Sequence, residues 1–389
     1  MNTRPSLFTR VASALGFAAL LLAGHIARGQ PNTFQETKLI SDIPGEAALT
    51  DSNLVNPWGI TSSASSPFWF SDNGTGVSTL YNSTTHTEPS LVVSIPAPAG
   101  GTGAPTGAAF NGTTAFNGDT FVFDTEDGTI NGWRGALGTT AESLADNSGA
   151  GAVYKGLAVS HIGSNSYLYA TDFHNNQITV LPSTGAPALS GNFVDPNLPA
   201  GFAPFNIENI SGQLFVTYAK QDAAGHDDVS GAGNGYVDIF DLNGDLLKRL
   251  ISGGPLNSPW GLALAPTGFG PFGGDLLVGN FGDGSINAFD PTSGAFIDSL
   301  KDPGNNPIDI QGLWGLTFGN GGSGGLKSDL YFTAGIPGND EVEDHGLFGS
   351  LTHVPDGGTT LLLLAGSLAA LFGFYRLGAA SRRTEAVRA

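Results

Sequence analysis

Apolar and polar positions alternate along the chain in a repeating order: a short apolar run, a turn rich in glycine, proline, asparagine or aspartate, then another run. The clearest unit is Asn257 to Gly294. In it Gly261–Leu264, Asp275–Asn280 and Ser285–Asp290 read as three strands separated by Gly- and Pro-rich turns. Weaker copies open at Asn56-Pro57-Trp58-Gly59, Pro105-Thr106-Gly107, Tyr154-Lys155-Gly156, Pro204-Phe205-Asn206, Pro259-Trp260-Gly261 and Leu313-Trp314-Gly315. Their equivalent positions, Gly59, Gly107, Gly156, Asn206, Gly261 and Gly315, are 48, 49, 50, 55 and 54 residues apart. A period near 50 with about four strands per copy is the spacing of propeller blades.

Second strands follow on schedule as Phe68–Phe70, Thr120–Phe123, Tyr167–Ala170, Leu214–Tyr218, Leu276–Val278 and Leu330–Phe332. Each is rich in aromatic and β-branched residues, as strands buried between blades should be. Third strands are expected at Val77–Tyr81, Thr129–Trp133, Gln177–Leu181, Gly235–Phe240, Ser285–Phe289 and Gly346–Leu351, and fourth strands in five copies. The sixth copy runs out before it can make one. Phe34–Ile40 is expected to supply it, pairing with the last blade and closing the ring without an exposed edge. The pattern thus predicts an all-β, six-bladed β-propeller over residues 30–353.

Composition agrees with many short strands and tight turns: 58 glycines, 23 prolines and only 13% charged residues among 389. Cysteine is absent, which excludes thiol chemistry and disulfides and leaves the core to hold the fold. Seven of the 15 basic residues and two of the 34 acidic ones lie in the end segments, so the body keeps 8 against 32, a net charge of −24. Such a charge disfavours nucleic acid and anionic membrane surfaces and favours cations or simple solubility.

The two ends read as processing signals. Residues 1–29 carry Arg4 and Arg10, the apolar run Val11–Ala23 and a small-x-small site at Ala27-Arg28-Gly29, the order of a signal peptide cut by signal peptidase near Gln30. At the other end Val354-Pro355-Asp356-Gly357-Gly358 precedes an apolar stretch, Leu361–Tyr375, and then Arg376, Arg382, Arg383 and Arg388. That stretch is long enough for a short transmembrane helix in an inner membrane with its basic tail in the cytoplasm.

Motif, span and arginine cluster over 354–389 resemble the PEP-CTERM class of bacterial sorting signals, in the variant that begins Val-Pro-Asp, with Gly357 where the variant often has serine. The resemblance implies an exosortase-type sorting enzyme as partner, and delivery to the cell surface or extracellular matrix of a Gram-negative-type bacterium that makes extracellular polysaccharide. The middle of the chain also resembles a family of bacterial propeller proteins of unassigned activity that often carry such tails. The match runs through Ala203–Ile207, Val216–Asp222, His226-Asp227-Asp228 and Ser258–Gly261 to Gly279–Gly284.

In a propeller the loops between second and third strands emerge on one face around the central channel. Here all six carry carboxylates or amides, among them Asp72, Glu126-Asp127, Asp172, the 220–235 loop, Asn280 and Asp283, and the 338–345 loop. Oxygen donors around a channel suit a hard cation such as Ca2+, and repeat position selects Asp72, Asp172, Asn206 and Asn280 as its ligands. The same residue types are ordinary turn formers. His174, Asp222, His226, Asp227, Asp228, Asp283, Asp344 and His345 are expected on the ligand-binding face, and three of them are histidines whose convergence would make a transition-metal site. Trp58, Trp260 and Trp314 open inner strands, where a tryptophan either lines the channel or, more commonly, packs between blades.

Gly321-Gly322-Ser323-Gly324-Gly325 fits a nucleophile-elbow pattern, but a strand follows it where an elbow needs a helix. Two functional readings remain. One is a non-enzymatic propeller that binds polysaccharide or envelope proteins. The other resembles the six-bladed lactonases, in which a central metal activates a lactone or ester; no glutamate stands here in the first-blade opening Asn53-Leu54-Val55-Asn56, where those enzymes place an acidic ligand.

Overall fold

The computed structural model describes residues 31–338 and 342–355. The expected signal peptide, the residues of the sorting motif from Asp356 onward and the expected transmembrane helix lie outside the described residues. Thr33–His353 forms a compact unit of six antiparallel sheets, with no α-helix among the described residues.

Blade 1 is built from Pro57–Thr61, Phe68–Asp72, Val77–Ser78 with Leu80–Tyr81, and Val93–Ser94, and blade 2 from Pro105–Phe110, Phe121–Thr125, Thr129–Trp133 and Glu142–Asp146. Blade 4 (Phe202–Ile210, Gln213–Lys220, Tyr236–Phe240, Leu246–Ser252) and blade 5 (Pro259–Leu264, Leu276–Asn280, Ile286–Phe289, Phe296–Ser299) are also four-stranded. Blade 6 begins with Leu313–Phe318, Leu330–Ala334 and Leu347–His353, and Phe34–Ser41 completes it. That closing strand runs antiparallel to Leu347–His353, from Phe34 opposite His353 to Ser41 opposite Leu347. The ring is sealed by joining the two ends of the propeller, as the sequence predicts.

Blade 3 departs from expectation. It has three strands, Tyr154–Ile162, Asn165–Asp172 and Gln177–Pro182, and no fourth. Pro187, Pro196 and Pro199 fall in the segment that would form it, and each removes a ladder donor. The segment instead turns to blade 4. Gly191 and Phe193 donate backbone hydrogen bonds to the carbonyls of Asn243 and Gly244, Asp195 pairs with Arg249, and Ala186, Leu189, Phe193 and Leu198 pack on the apolar cluster between the two blades.

What shapes the centre is a register shift in all six inner strands at the same place, between Pro57 and Ile60, Pro105 and Ala108, Tyr154 and Leu157, Pro204 and Asn206, Pro259 and Gly261, and Leu313 and Leu316. A bulge adds a residue and re-aims the side chains on either side of it. Here it turns Trp58, Lys155, Phe205, Trp260 and Trp314 toward one another. The glycine at each bulge exists because neighbouring inner strands nearly touch: a Cβ at Gly59 would lie 2.6 Å from Ala108 N and Thr106 O, and one at Gly315 would lie 2.7 Å from Trp58 O. Blade 4 replaces the glycine by Asn206, whose Nδ2 donates to Trp260 O at 2.8 Å.

Second-strand side chains tie the bulges down. Gly107 N donates to Asp124, Asn206 N to Thr217 Oγ1 and Gly315 N to Thr333 Oγ1. Hydroxyls also stitch blade to blade: Ser71 donates to Gly107 O, Thr171 to Phe205 O and Thr333 to Trp58 O. Buried amides that would be orphaned at a bulge are thereby paired.

Candidate functional site at the channel mouth

The bulges gather a tryptophan plug on the propeller axis. Trp58 and Trp314 stack at 3.5 Å between ring centroids, Phe281 stacks on the other face of Trp314 at 4.0 Å, and Trp260 meets Trp58 edge-on at 6.2 Å. Phe173 and Phe205 complete the cluster. The three tryptophans therefore do not pack between blades as most core aromatics do; they fill the channel itself. All three are buried. Offset and edge-to-face pairs of this kind add roughly 0.5–1.5 kcal/mol each beyond their buried area.

A polar layer sits directly on the plug, contributed by blades 1, 2, 3, 4 and 6. Lys155 occupies in blade 3 the repeat position of Trp58, Trp260 and Trp314, and its side chain is only 2% exposed. Its Nζ stands 5.1 Å from the Trp58 ring centroid, within cation–π range, and pairs with Glu126 Oε1 and, at 3.5 Å, with Asp227 Oδ1. Burial alone would pull the lysine down, but the charge and hydrogen bond of Glu126, with Asp227 beyond, hold it above its ordinary value.

Hydrogen bonds and ion pairs link the residues of this layer. Trp314 Nε1 donates to Asn56 Oδ1 (3.0 Å), Asn56 Nδ2 to Glu343 Oε1 (3.0 Å), and Asn73 Nδ2 to Glu126 Oε2 (2.9 Å). Beyond Lys155 the chain ends at the rim, where His226 Nδ1 lies 2.8 Å from Asp227 Oδ1. Burial pushes the Glu343 carboxyl up to about 7, helped by the charges of Glu126 and Asp227, while Asn56 and Lys155 oppose the rise.

The structure brings few of the sequence-selected oxygen donors to the axis. Asp72 accepts from Thr79 N, Asp172 accepts from Val153 N and from the side chains of Asn175 and Gln177, and Asn280 donates to Pro255 O and Asp283: each is used within its own blade or loop. Only Asn206 lines the narrow part of the channel. On the loop face, Asp222 accepts the His226 amide, Ser230 donates to Asp228, Asp283 closes a turn with Ser285, and Asp344 packs at Gly338.

The three histidines do not converge. His345 pairs with Asp42 of the segment after the closing strand at 2.6 Å, and His174 lies against Gly225. Among the described residues, the three side chains able to share a metal ion are Glu126, His226 and Asp227, with ligand atoms within 4.8 Å of one another. Glu126, Lys155, Asn56, Asn73 and Glu343 were not selected from sequence as site residues. Glu126, Asn73 and Glu343 carry one signal, their place in the oxygen-rich loops around the channel, and Lys155 another, a lysine at a repeat position otherwise held mostly by aromatics.

Comparison with known proteins places the chain. Residues 353–377 match the VPDSG-CTERM motif, a PEP-CTERM-like sorting tail of exported, membrane-anchored proteins. Solved structures with the same kind of fold include a catalytically inactive virginiamycin B lyase from Staphylococcus aureus (14% identical, covering 83% of this chain and 99% of that one, TM-score 0.46) and a glucose dehydrogenase (12%, 81% and 98%, TM-score 0.48). Two uncharacterized proteins of Acanthamoeba polyphaga mimivirus are far more similar in sequence. R648 is 35% identical over 305 residues, 73% of either chain, and L690 is 32% identical over 347 residues, 82% of this chain and 86% of the other. These relatives are viral rather than bacterial. A chain identical to both at about a third of the aligned residues, over most of their length, belongs to the family that contains the mimivirus proteins R648 and L690.

Proposed function

We propose that this is a binding module delivered to the cell exterior by its sorting tail, and that its loop-side mouth takes a hydroxyl-rich ligand of the extracellular polysaccharide type. The observation that carries the reading is Lys155. Its ammonium stands between Glu126 and Asp227, where a metal bound by Glu126, His226 and Asp227 would have to sit, so the protein supplies its own cation there. Ca2+ would need that lysine displaced or neutralised, which its raised pKa opposes.

With the channel closed by the plug, a ligand meets a surface rather than a tunnel. The rim offers Asp227, His226, Asp222 and Asp344 as hydrogen-bonding groups for hydroxyls, and the long 220–235 loop makes most of it. An exosortase-type enzyme and signal peptidase would process the two ends, with the inner membrane holding the chain in transit.

The test is glycan-array binding and calorimetry with the full chain. Polysaccharide binding that falls at least tenfold in His226→Ala/Asp227→Ala, with unfolding unchanged, supports the reading. Absence of glycan binding sinks it, and Ca2+-dependent hydrolysis of lactones or esters that vanishes in Asp227→Ala would replace it with the metal-dependent hydrolase.

A further inference from the structure

The channel is blocked at the loop side, but it opens on the opposite side of the propeller. There the far ends of the inner strands and the turns after them surround a cavity of about 440 Å³, lined by Ile60, Ala108, Leu157, Phe110 and Phe318, with Thr61, Ser62 and Asn320 at its margin. A neck of about 10 Å³ continues inward between the bulge glycines to Asn206 and Trp260, room for about one water.

Glu208 belongs to both spaces, and among the described residues it is the only charged one lining either. It sits on the blade 4 inner strand, two residues past Asn206, in the stretch where blades 1, 2, 3 and 6 present isoleucine, alanine, threonine, leucine or valine. Its carboxylate has no hydrogen-bond or ion-pair partner among the described residues, and it is partly reached by solvent through the cavity. Burial pushes this carboxyl up to about 7, with no neighbouring charge contributing.

Apolar side chains ring the cavity among hydroxyls and amides, and a carboxylate only partly hydrated where the cavity narrows costs stability unless something pairs with it. Among the described residues no side chain does. The blade-stitching network that satisfies the other polar groups of the inner ring, from Ser71 to Thr333, does not extend to it.

We infer that this second cavity is a binding site for a small organic ammonium ion, whose charged nitrogen pairs with Glu208 while its apolar body fills the space between Ile60, Leu157, Phe110 and Phe318. A divalent metal fits less well, because one carboxylate brings too little charge for an ion that takes six to eight oxygens. The cavity volume lies within the range of small-ligand pockets. This site is distinct from the loop-side mouth, from which the plug separates it.

The experiment is calorimetric titration of the full chain, in non-ionic detergent at pH 8, with benzylammonium and with its neutral isostere benzyl alcohol. Benzylammonium is expected to bind at one site per chain, at least tenfold more tightly than benzyl alcohol, and at least tenfold more weakly to Glu208→Gln. Ala108→Leu, which fills the cavity where it meets the neck, is expected to abolish binding while leaving Glu208 in place. Asp227→Asn, on the other face, is expected to leave benzylammonium binding unchanged. Absence of saturable benzylammonium binding, equal affinity for the alcohol, equal affinity in Glu208→Gln or Ala108→Leu, or a loss in Asp227→Asn instead would each overturn the site.

Discussion

Replacing Lys155 by methionine removes the ammonium while keeping most of the buried volume, and the two carboxylates it meets separate the contributions. Asp227 lies at 3.5 Å, where the gross attraction at an effective dielectric of about 20 is nearly 5 kcal/mol; but its side chain is 69% exposed, so solvent and salt screen the pair to below about 1 kcal/mol. Glu126 is 16% exposed and makes the closer contact. Breaking a buried pair by removing one partner costs about 3–5 kcal/mol, because the remaining charge stays uncompensated. Asn73, which already donates to Glu126, keeps the cost near the lower end. Lys155→Met is therefore expected to lose about 3 kcal/mol in urea unfolding at pH 8. A double-mutant cycle with Glu126→Gln should recover most of it, and one with Asp227→Asn less than about 1 kcal/mol. A variant within 0.5 kcal/mol of the parent, or a larger coupling to Asp227 than to Glu126, would refute the account of Lys155 as the cation of the mouth.

Three further expectations rest on other parts of the ring. Phe34 is buried on the closing strand against Phe269 and Phe272, so Phe34→Ala should cost about 3–5 kcal/mol and open the propeller first at its ends, read as loss of amide protection in Leu347–His353 before the other blades. Gly59→Ala drives a Cβ into the backbone of the next blade and should destabilise by on the order of 4 kcal/mol; unfolding unchanged from the parent would mean that the inner strands can move apart. Burial raises Asp124 to about 7, so the folded state holds its proton more tightly than the unfolded chain. Its contribution to stability is present below about pH 4, lost as pH rises toward 7 and constant above, with an upper bound of about 4 kcal/mol. Asp124→Asn should flatten that slope between about pH 4 and 7, and an unchanged slope would show that the carboxyl is not the source.

How much of this was legible in the sequence depends on what each residue answers to. The six equivalent inner-strand positions were readable, though not as bulges, because close backbone approach allows almost nothing but glycine, and Asn206 stands out as the exception that reaches across to Trp260. The closing strand was readable because an unpaired last blade demands a partner. The missing fourth strand of blade 3 was obscured by the expectation of a uniform repeat, although three prolines after the third strand already argued against a ladder.

The site was less legible for a geometric reason. In a strand the side-chain period is two, and a bulge shifts it by one, so the face to which a residue points cannot be assigned until the bulge is located. Trp58, Trp260 and Trp314 were found at the right repeat position, and the choice between lining the channel and packing between blades stayed open on that account. The oxygen donors failed differently. Asp72, Asp172 and Asn280 were selected by an identical place in the repeat, but an identical place carries an identical local task, and in a propeller that task is closing the turn between second and third strands. The tryptophans of the axis follow the repeat, whereas several of its charged residues break it: Lys155 among aromatics, Glu208 among small and apolar side chains, Glu343 and Asp227 in the two loops that have no counterpart of the same length elsewhere. Repetition builds the ring, so the departures from it are where this chain's own chemistry lies, and two of them, Lys155 and Glu208, stand on opposite sides of the same tryptophan plug.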